Sequence, residues 1–173
     1  MTLSPITLVL GGARSGKSTF AEGLVSAEPG PWTYLATAEP GDDEMRARIA
    51  AHRARRGGTW ETVEAPLDLA DALSGAAEER PVLIDCLTLW LANLLAAERD
   101  LVAETAGLLQ ALEARRAPTV LVSNEVGLGI VPETPLGRRF RDDAGRLNQQ
   151  LAAVAQRVVF VAAGLPLDLK RPE

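Results

Sequence analysis

Short apolar runs alternate along this chain with longer stretches whose apolar residues recur at helical spacing. The runs at 6–10, 32–37, 60–63, 81–85, 119–123 and 158–162 carry the β-branched, aromatic and aliphatic residues that predict strands. The intervening stretches 17–26, 42–56, 67–78, 88–98, 101–115 and 135–156 predict helices. Pro66 is expected in the first turn of the third helix, and Asp42 at the N-cap of the second. Val120-Leu121-Val122 has no polar interruption, which predicts a strand buried on both faces. The alternation predicts an α/β fold with a mostly parallel sheet. In such folds ligands gather at the carboxyl ends of the strands, so the residues just after each strand carry the most functional information.

The first strand runs directly into Gly11-Gly12-Ala13-Arg14-Ser15-Gly16-Lys17-Ser18, a complete G-x-x-x-x-G-K-[ST] pattern. This narrows the expected architecture to a P-loop NTPase-like three-layer fold. Glycines let backbone N–H groups approach an anion, and the following helix adds the positive end of its dipole. Lys17 is expected to reach the β- and γ-phosphates, with the Ser18 hydroxyl on Mg²⁺. Lys17 and Lys170 are the two lysines among 18 basic residues. Arginine is therefore the default cation, and a compact point charge stands where a phosphate would use one. The chain is expected to bind a nucleoside triphosphate.

At 173 residues and 47% hydrophobic, the sequence suits one nucleotide-binding catalytic domain spanning 1–173. No linker, repeat or low-complexity tract divides it. A net charge of −5 argues against nucleic acid as the main partner. Cys86 is the single cysteine, so no disulfide framework is possible and a reduced cytoplasm is expected. Residues 1–5 lack the basic region of a signal peptide. The longest apolar stretch, 86–97, is too short to span a bilayer and contains Asn93, so no membrane insertion is expected.

Three strand ends or helices carry candidate chemistry. Asp85 closes an apolar strand, where P-loop proteins place an acid that holds or orients Mg²⁺; without the P-loop the same pattern would read first as an N-cap for the helix near Thr88, and with it the metal or nucleotide role is favoured. Asn124 and Glu125 follow the next strand and could face a substrate or cap a glycine-rich turn. His52, the single histidine, shares a helical face with Met45 and Ile49, among Arg46, Arg48, Arg53, Arg55 and Arg56. That density fits a polyanion site, and it also fits a solvated basic face.

Taken together, residues 11–18, Tyr34-Leu35-Ala36-Thr37-Ala38, Asp42-Asp43-Glu44-Met45 with Arg48-Ile49 and His52, and 60–64 resemble one protein family. So do Asn124-Glu125-Val126-Gly127 with Gly129-Ile130-Val131-Pro132, and Phe140-Arg141-Asp142 with Gly145, Asn148 and Gln149. It is the bifunctional adenosylcobinamide kinase / adenosylcobinamide-phosphate guanylyltransferase family of cobalamin biosynthesis. The resemblance runs from the first strand to the last. It implies phosphorylation of adenosylcobinamide by ATP or GTP, then transfer of GMP from GTP to the new phosphate through a guanylylated histidine. His52 stands at the position of that histidine. The family's nucleotide contacts carry over to Gly11, Gly12, Ala13, Arg14, Ser15, Gly16, Lys17 and Ser18. They carry over also to Ala36, Thr37, Ala38, Arg53, Ala54, Arg55, Arg56, Glu64 and Asp85, with Ser18 and Asp85 as metal ligands. The resemblance further implies a homotrimer. Family members often have glutamate where this chain has Asp85, and some have a second histidine where it has Ala51.

Two other readings make different predictions. A P-loop kinase of a small metabolite with a structural His52 would form no covalent nucleotide adduct. A nucleotide-dependent switch would carry N-K-x-D and D-x-x-G motifs after its strands, whereas here Asp85-Cys86-Leu87-Thr88 lacks the glycine and Asn124 is followed by Glu125.

Overall fold

A computed structural model describes residues 3–39, 41, 43, 46, 50 and 57–171. Seven strands and five helices are formed among them: β1 (Ile6–Gly11), α1 (Lys17–Ser26), β2 (Trp32–Ala36), β3 (Trp60–Glu64), α2 (Leu69–Gly75) and β4 (Val82–Asp85). They continue with α3 (Leu87–Ala96), α4 (Leu101–Ala114), β5 (Thr119–Asn124), α5 (Pro135–Val154), β6 (Arg157–Ala162) and β7 (Leu165–Lys170). The expected helix at 42–56 and its Asp42 cap lie largely outside the described residues.

The strands form one sheet in the order β3-β2-β4-β5-β1-β6-β7, parallel except for antiparallel β7. Alternation along the strands divides the core in two. Leu8 and Leu10, Val82 and Ile84, and Leu121 turn toward Leu69, Leu73, Leu87, Trp90, Leu94, Leu108, Leu112, Leu147 and Leu151 of α2 to α5. Val9, Leu83, Val120, Val122, Val159 and Val161 turn the other way, onto Ala21 and Val25 of α1. The sheet is thus covered on both faces, giving the expected three-layer P-loop architecture.

Two expectations need correction. Pro66 does not sit in the first turn of its helix, because α2 begins at Leu69 after Asp68. The reason is tertiary: the Pro66 carbonyl accepts from Asn93 Nδ2 at 3.0 Å and the Leu67 carbonyl from Trp90 Nε1 at 2.7 Å, which holds both residues outside the helix. At the other end α2 stops at Gly75 rather than 78, where Ala76 turns extended. The Arg115 guanidinium takes the carbonyls of Leu73, Ala76, Ala77 and Arg80, fixing that exit. β7 was not anticipated from the sequence. Proline within a run argues against a strand, yet Pro166 is tolerated because β7 lies at the sheet edge.

Candidate active site

The strand registers align one edge of the sheet. Gly11 pairs with Asn124 and Val161, Ala36 with Asp85 and Glu64, and Asp85 with Val122. The carboxyl ends of β1, β2, β3, β4 and β5 therefore meet along one rim, where a parallel sheet offers its ligand crevice.

At its centre β1 opens into the P-loop. Gly16 has φ 94° and Arg14 φ 55°, so the backbone passes through the left-handed region that turns successive N–H groups inward. The loop closes with Ser15 N donating to Gly12 O at 3.3 Å, and α1 begins at Lys17. Two contacts brace it from below. A Cβ on Gly11 would come within 2.5 Å of the Val161 carbonyl and 2.6 Å of Ser15 Oγ, so no larger residue fits. Gly164, in the turn between β6 and β7, donates its N–H to Ser15 O at 2.8 Å. Lys17 is 5% exposed and its ammonium lies 3.0 Å from Gly12 O, folded back over the loop that would hold a phosphate. Ser15 Oγ is buried with no protein hydrogen-bond partner.

Asp85 ends β4, with β5 lying between it and the P-loop strand. It is not a helix cap: the N-cap of α3 is Cys86, which makes no side-chain capping bond. The Asp85 carboxylate, 8% exposed, instead accepts from the Tyr34 hydroxyl at 3.2 Å. Tyr34 stands edge-on to Trp60 at 6.3 Å, which fixes its ring. Among the described residues no group of three His, Cys, Asp or Glu could hold a metal unaided. A serine hydroxyl and one buried carboxylate do fit Mg²⁺, whose remaining positions go to substrate phosphates and water.

Behind Asp85 runs a chain of side-chain amides, hydroxyls and one thiol. Thr37, fully buried, donates Oγ1–H to the Cys86 carbonyl and accepts from the Cys86 N–H, both at 2.7 Å. Its own carbonyl accepts from Asn93 Nδ2 at 2.8 Å. Cys86 Sγ lies 2.7 Å from Thr88 Oγ1, and Asn124 Nδ2 donates to that same hydroxyl at 2.7 Å. Asn148 Nδ2, from α5, donates to Asn124 O at 3.3 Å. Asn124 is thus tied across the rim to the start of α3, and Glu125 N donates to Gly11 O at 3.1 Å. Burial, with the Asp85 charge beside it, raises the Cys86 thiol above its usual range, so it remains a protonated hydrogen-bonding group rather than a thiolate.

The structure brings together 11–18, Ala36, Thr37, Ala38, Glu64 and Asp85 at this rim. His52, Arg53, Ala54, Arg55 and Arg56 lie outside the described residues. Thr88, Asn93 and Asn148 were not singled out by chemistry in the sequence. Their signal was the intrusion of a polar residue into an apolar stripe, as with Asn148 among buried Ala144, Leu147 and Leu151.

Comparison with known proteins gives the family and the fold. A family model described as cobinamide kinase / cobinamide phosphate guanyltransferase matches residues 7–169. The chain is 51% identical to the bifunctional adenosylcobalamin biosynthesis protein CobP of Pseudomonas aeruginosa, over 94% of this chain and 96% of that one. It is 42% identical to the bifunctional adenosylcobalamin biosynthesis protein CobU of Escherichia coli, over 94% and 98% of the two chains. Among solved structures, the RadB recombinase superposes with a TM-score of 0.56 at 18% identity, covering 92% of this chain and 75% of that one. The flagellar accessory protein FlaH of Methanocaldococcus jannaschii gives 0.55 at 13% identity, covering 98% and 80%. At such identities these two likenesses speak for the fold alone.

Proposed function

This chain belongs to the cobinamide kinase / cobinamide phosphate guanyltransferase family, and on that premise we propose that a single triphosphate site at the sheet rim serves two reactions. The enzyme is bifunctional, phosphorylating adenosylcobinamide and guanylylating adenosylcobinamide phosphate in cobalamin biosynthesis. The observation that carries the site assignment is the complete P-loop, with Lys17 buried over it, on the same rim as the Asp85 carboxylate.

In the kinase step, the P-loop amides and Lys17 hold the β- and γ-phosphates of ATP or GTP, and catalysis rests on alignment with the substrate hydroxyl. Mg²⁺, held by Ser18 and Asp85, would supply neutralisation of charge on the phosphate oxygens. In the second step a neutral His52 imidazole attacks the α-phosphorus of GTP. A P–N bond forms as the P–O bond to pyrophosphate breaks. A phosphate oxygen of adenosylcobinamide phosphate then attacks the same phosphorus, the P–N bond breaks, and His52 is restored. Arg53, Arg55, Arg56 and Glu64 complete the nucleotide site, with backbone at Ala36, Thr37, Ala38 and Ala54. Residues 1–173 act as one catalytic unit.

We place the enzyme in the cytoplasm as a homotrimer. Among the described residues no helix is long and apolar enough to cross a membrane. Leu165, Leu167 and Leu169 stand exposed along the β7 edge, which supports a subunit contact there.

The test is covalent labelling. Incubation with Mg²⁺ and GTP labelled at the α-phosphate is expected to leave acid-labile, alkali-stable label on the denatured protein. His52→Ala is expected to carry none while keeping much of the kinase activity. Unlabelled but active wild-type protein, or equal loss of both activities in a folded variant, would refute the assignment.

A further inference from the structure

We infer that the segment from Gly127 to Leu136 is the seat of the corrinoid macrocycle, a subsite separate from the nucleotide contacts. The inference rests on the cobinamide chemistry given above. From the end of β5 into the first turn of α5 the chain displays Leu128 at 81% exposure, Ile130 at 98%, Val131 at 60% and Leu136 at 66%. Single exposed aliphatics are ordinary, but four within nine residues mark a surface built to be covered.

The segment is held in shape rather than left loose. At its start Glu125 Oε1 accepts from Gly127 N at 2.5 Å. At its end the Arg138 guanidinium donates to the carbonyls of Pro132 and Glu133 at 3.0 and 2.7 Å. Thr134 Oγ1 caps α5 by accepting from Gly137 N at 3.1 Å. Gly137 lies so close to Pro132 that a Cβ there would meet the proline ring carbon at 2.8 Å. A shaped apolar surface loses little conformational freedom when a rigid ligand settles on it.

Position names the occupant. Asn124 pairs with Gly11, and Glu125 N donates to the Gly11 carbonyl, so the segment grows directly out of the phosphate site. Ile130 is six residues beyond Asn124, at most about 20 Å along an extended chain. A substrate whose reacting hydroxyl must meet the γ-phosphate while its bulk lies on a flexible arm needs a support within that range. A corrinoid is a broad, rigid macrocycle with methyl-bearing faces and an amide rim. Aliphatic side chains suit its face, and the polar groups of Glu125, Glu133 and Thr134 border the patch. Of the β7 leucines, Leu165 lies at the rim opposite Ala162, but β7 is antiparallel, so Leu167 and Leu169 run away from the rim, with Lys170 reaching the level of Val158 at the opposite end of the sheet.

Ile130→Ser and the double variant Leu128→Ser/Ile130→Ser test this, with Val102→Ser on α4 as an exposed aliphatic control. Steady-state kinetics are read for both corrinoid substrates and for GTP, alongside α-phosphate labelling and solution mass. The expected result is a rise of about tenfold or more in KM for cobinamide and cobinamide phosphate. GTP KM, labelling and mass stay unchanged, and the control behaves as wild type. Unchanged corrinoid KM overturns the inference. A changed solution mass with all KM values moving together also overturns it, by assigning the face to a subunit contact. Wild-type enzyme inactive on any cobinamide would instead overturn the reading on which the inference rests.

Discussion

Replacing Thr37 by valine isolates one hydroxyl that holds the acid end of β4. The side chain is fully buried, and valine keeps its shape, so no cavity opens. Two hydrogen bonds are lost, and they are not equivalent. The Cys86 carbonyl also accepts from Leu89 N and Trp90 N, both at 3.1 Å, so it stays satisfied. Its lost bond costs about 1 kcal/mol. The Cys86 N–H, by contrast, loses the Thr37 Oγ1 acceptor in a buried setting, costing about 1–3 kcal/mol. The expected destabilisation is thus about 2–4 kcal/mol, or a Tm lower by roughly 5–15 °C for a chain of this size. Urea unfolding at pH 7 measures it, with Thr37→Ser as the paired variant that keeps the hydroxyl. Because Cys86 adjoins Asp85, kcat is expected to fall in both reactions even in protein that is fully folded. Thr37→Val within 0.5 kcal/mol of wild type, or Thr37→Ser as damaged as Thr37→Val, would refute the reasoning.

Gly11→Ala puts a methyl 2.5 Å from the Val161 carbonyl and 2.6 Å from Ser15 Oγ, so the loop must shift. A loss of about 1–3 kcal/mol in stability and a clear fall in GTP affinity by calorimetry are expected, and wild-type affinity would contradict the tight packing. The raised Cys86 pKa means the folded state keeps its proton where the unfolded chain begins to lose it, above a thiol value of about 8.5. This contribution is complete below that value and fades as pH climbs through the higher folded pKa. Cys86→Ala should therefore lose less stability between pH 7 and pH 10 than wild type, and equal slopes in urea titrations would exclude the effect.

The sheet and the phosphate loop were legible because each left a local mark. Strand runs at 6–10, 32–37 and 119–123 needed only a residue of adjustment at their ends, and the helix at Lys17–Ser26 stands as predicted. Errors arose where distant residues decide the backbone. Nothing near Pro66 tells that Asn93 and Trp90 will claim the carbonyls beside it. Nothing near Gly75 announces Arg115, whose guanidinium sets the helix exit from the end of another helix. β7 was hidden for a different reason: its leucines alternate, but they face outward, so the usual inward logic of alternation does not apply. At the site, the P-loop already favoured Asp85 as a metal or nucleotide residue over a helix cap, but its tie to the Tyr34 hydroxyl on the neighbouring strand had no local signal.

The brace beneath the phosphate loop bears on how the protein is born. β1 precedes the other described strands in the chain, yet its ladder partners are β5 and β6, and the glycine that steadies Ser15 is residue 164. A ribosome that has reached residue 100 has already written the cradle's sequence without the strands that give it form. Nucleotide therefore cannot template the early chain. It can stabilise only a chain in which β5, β6 and Gly164 have already been made, so the ability to hold a triphosphate follows the synthesis of strands far downstream of the loop.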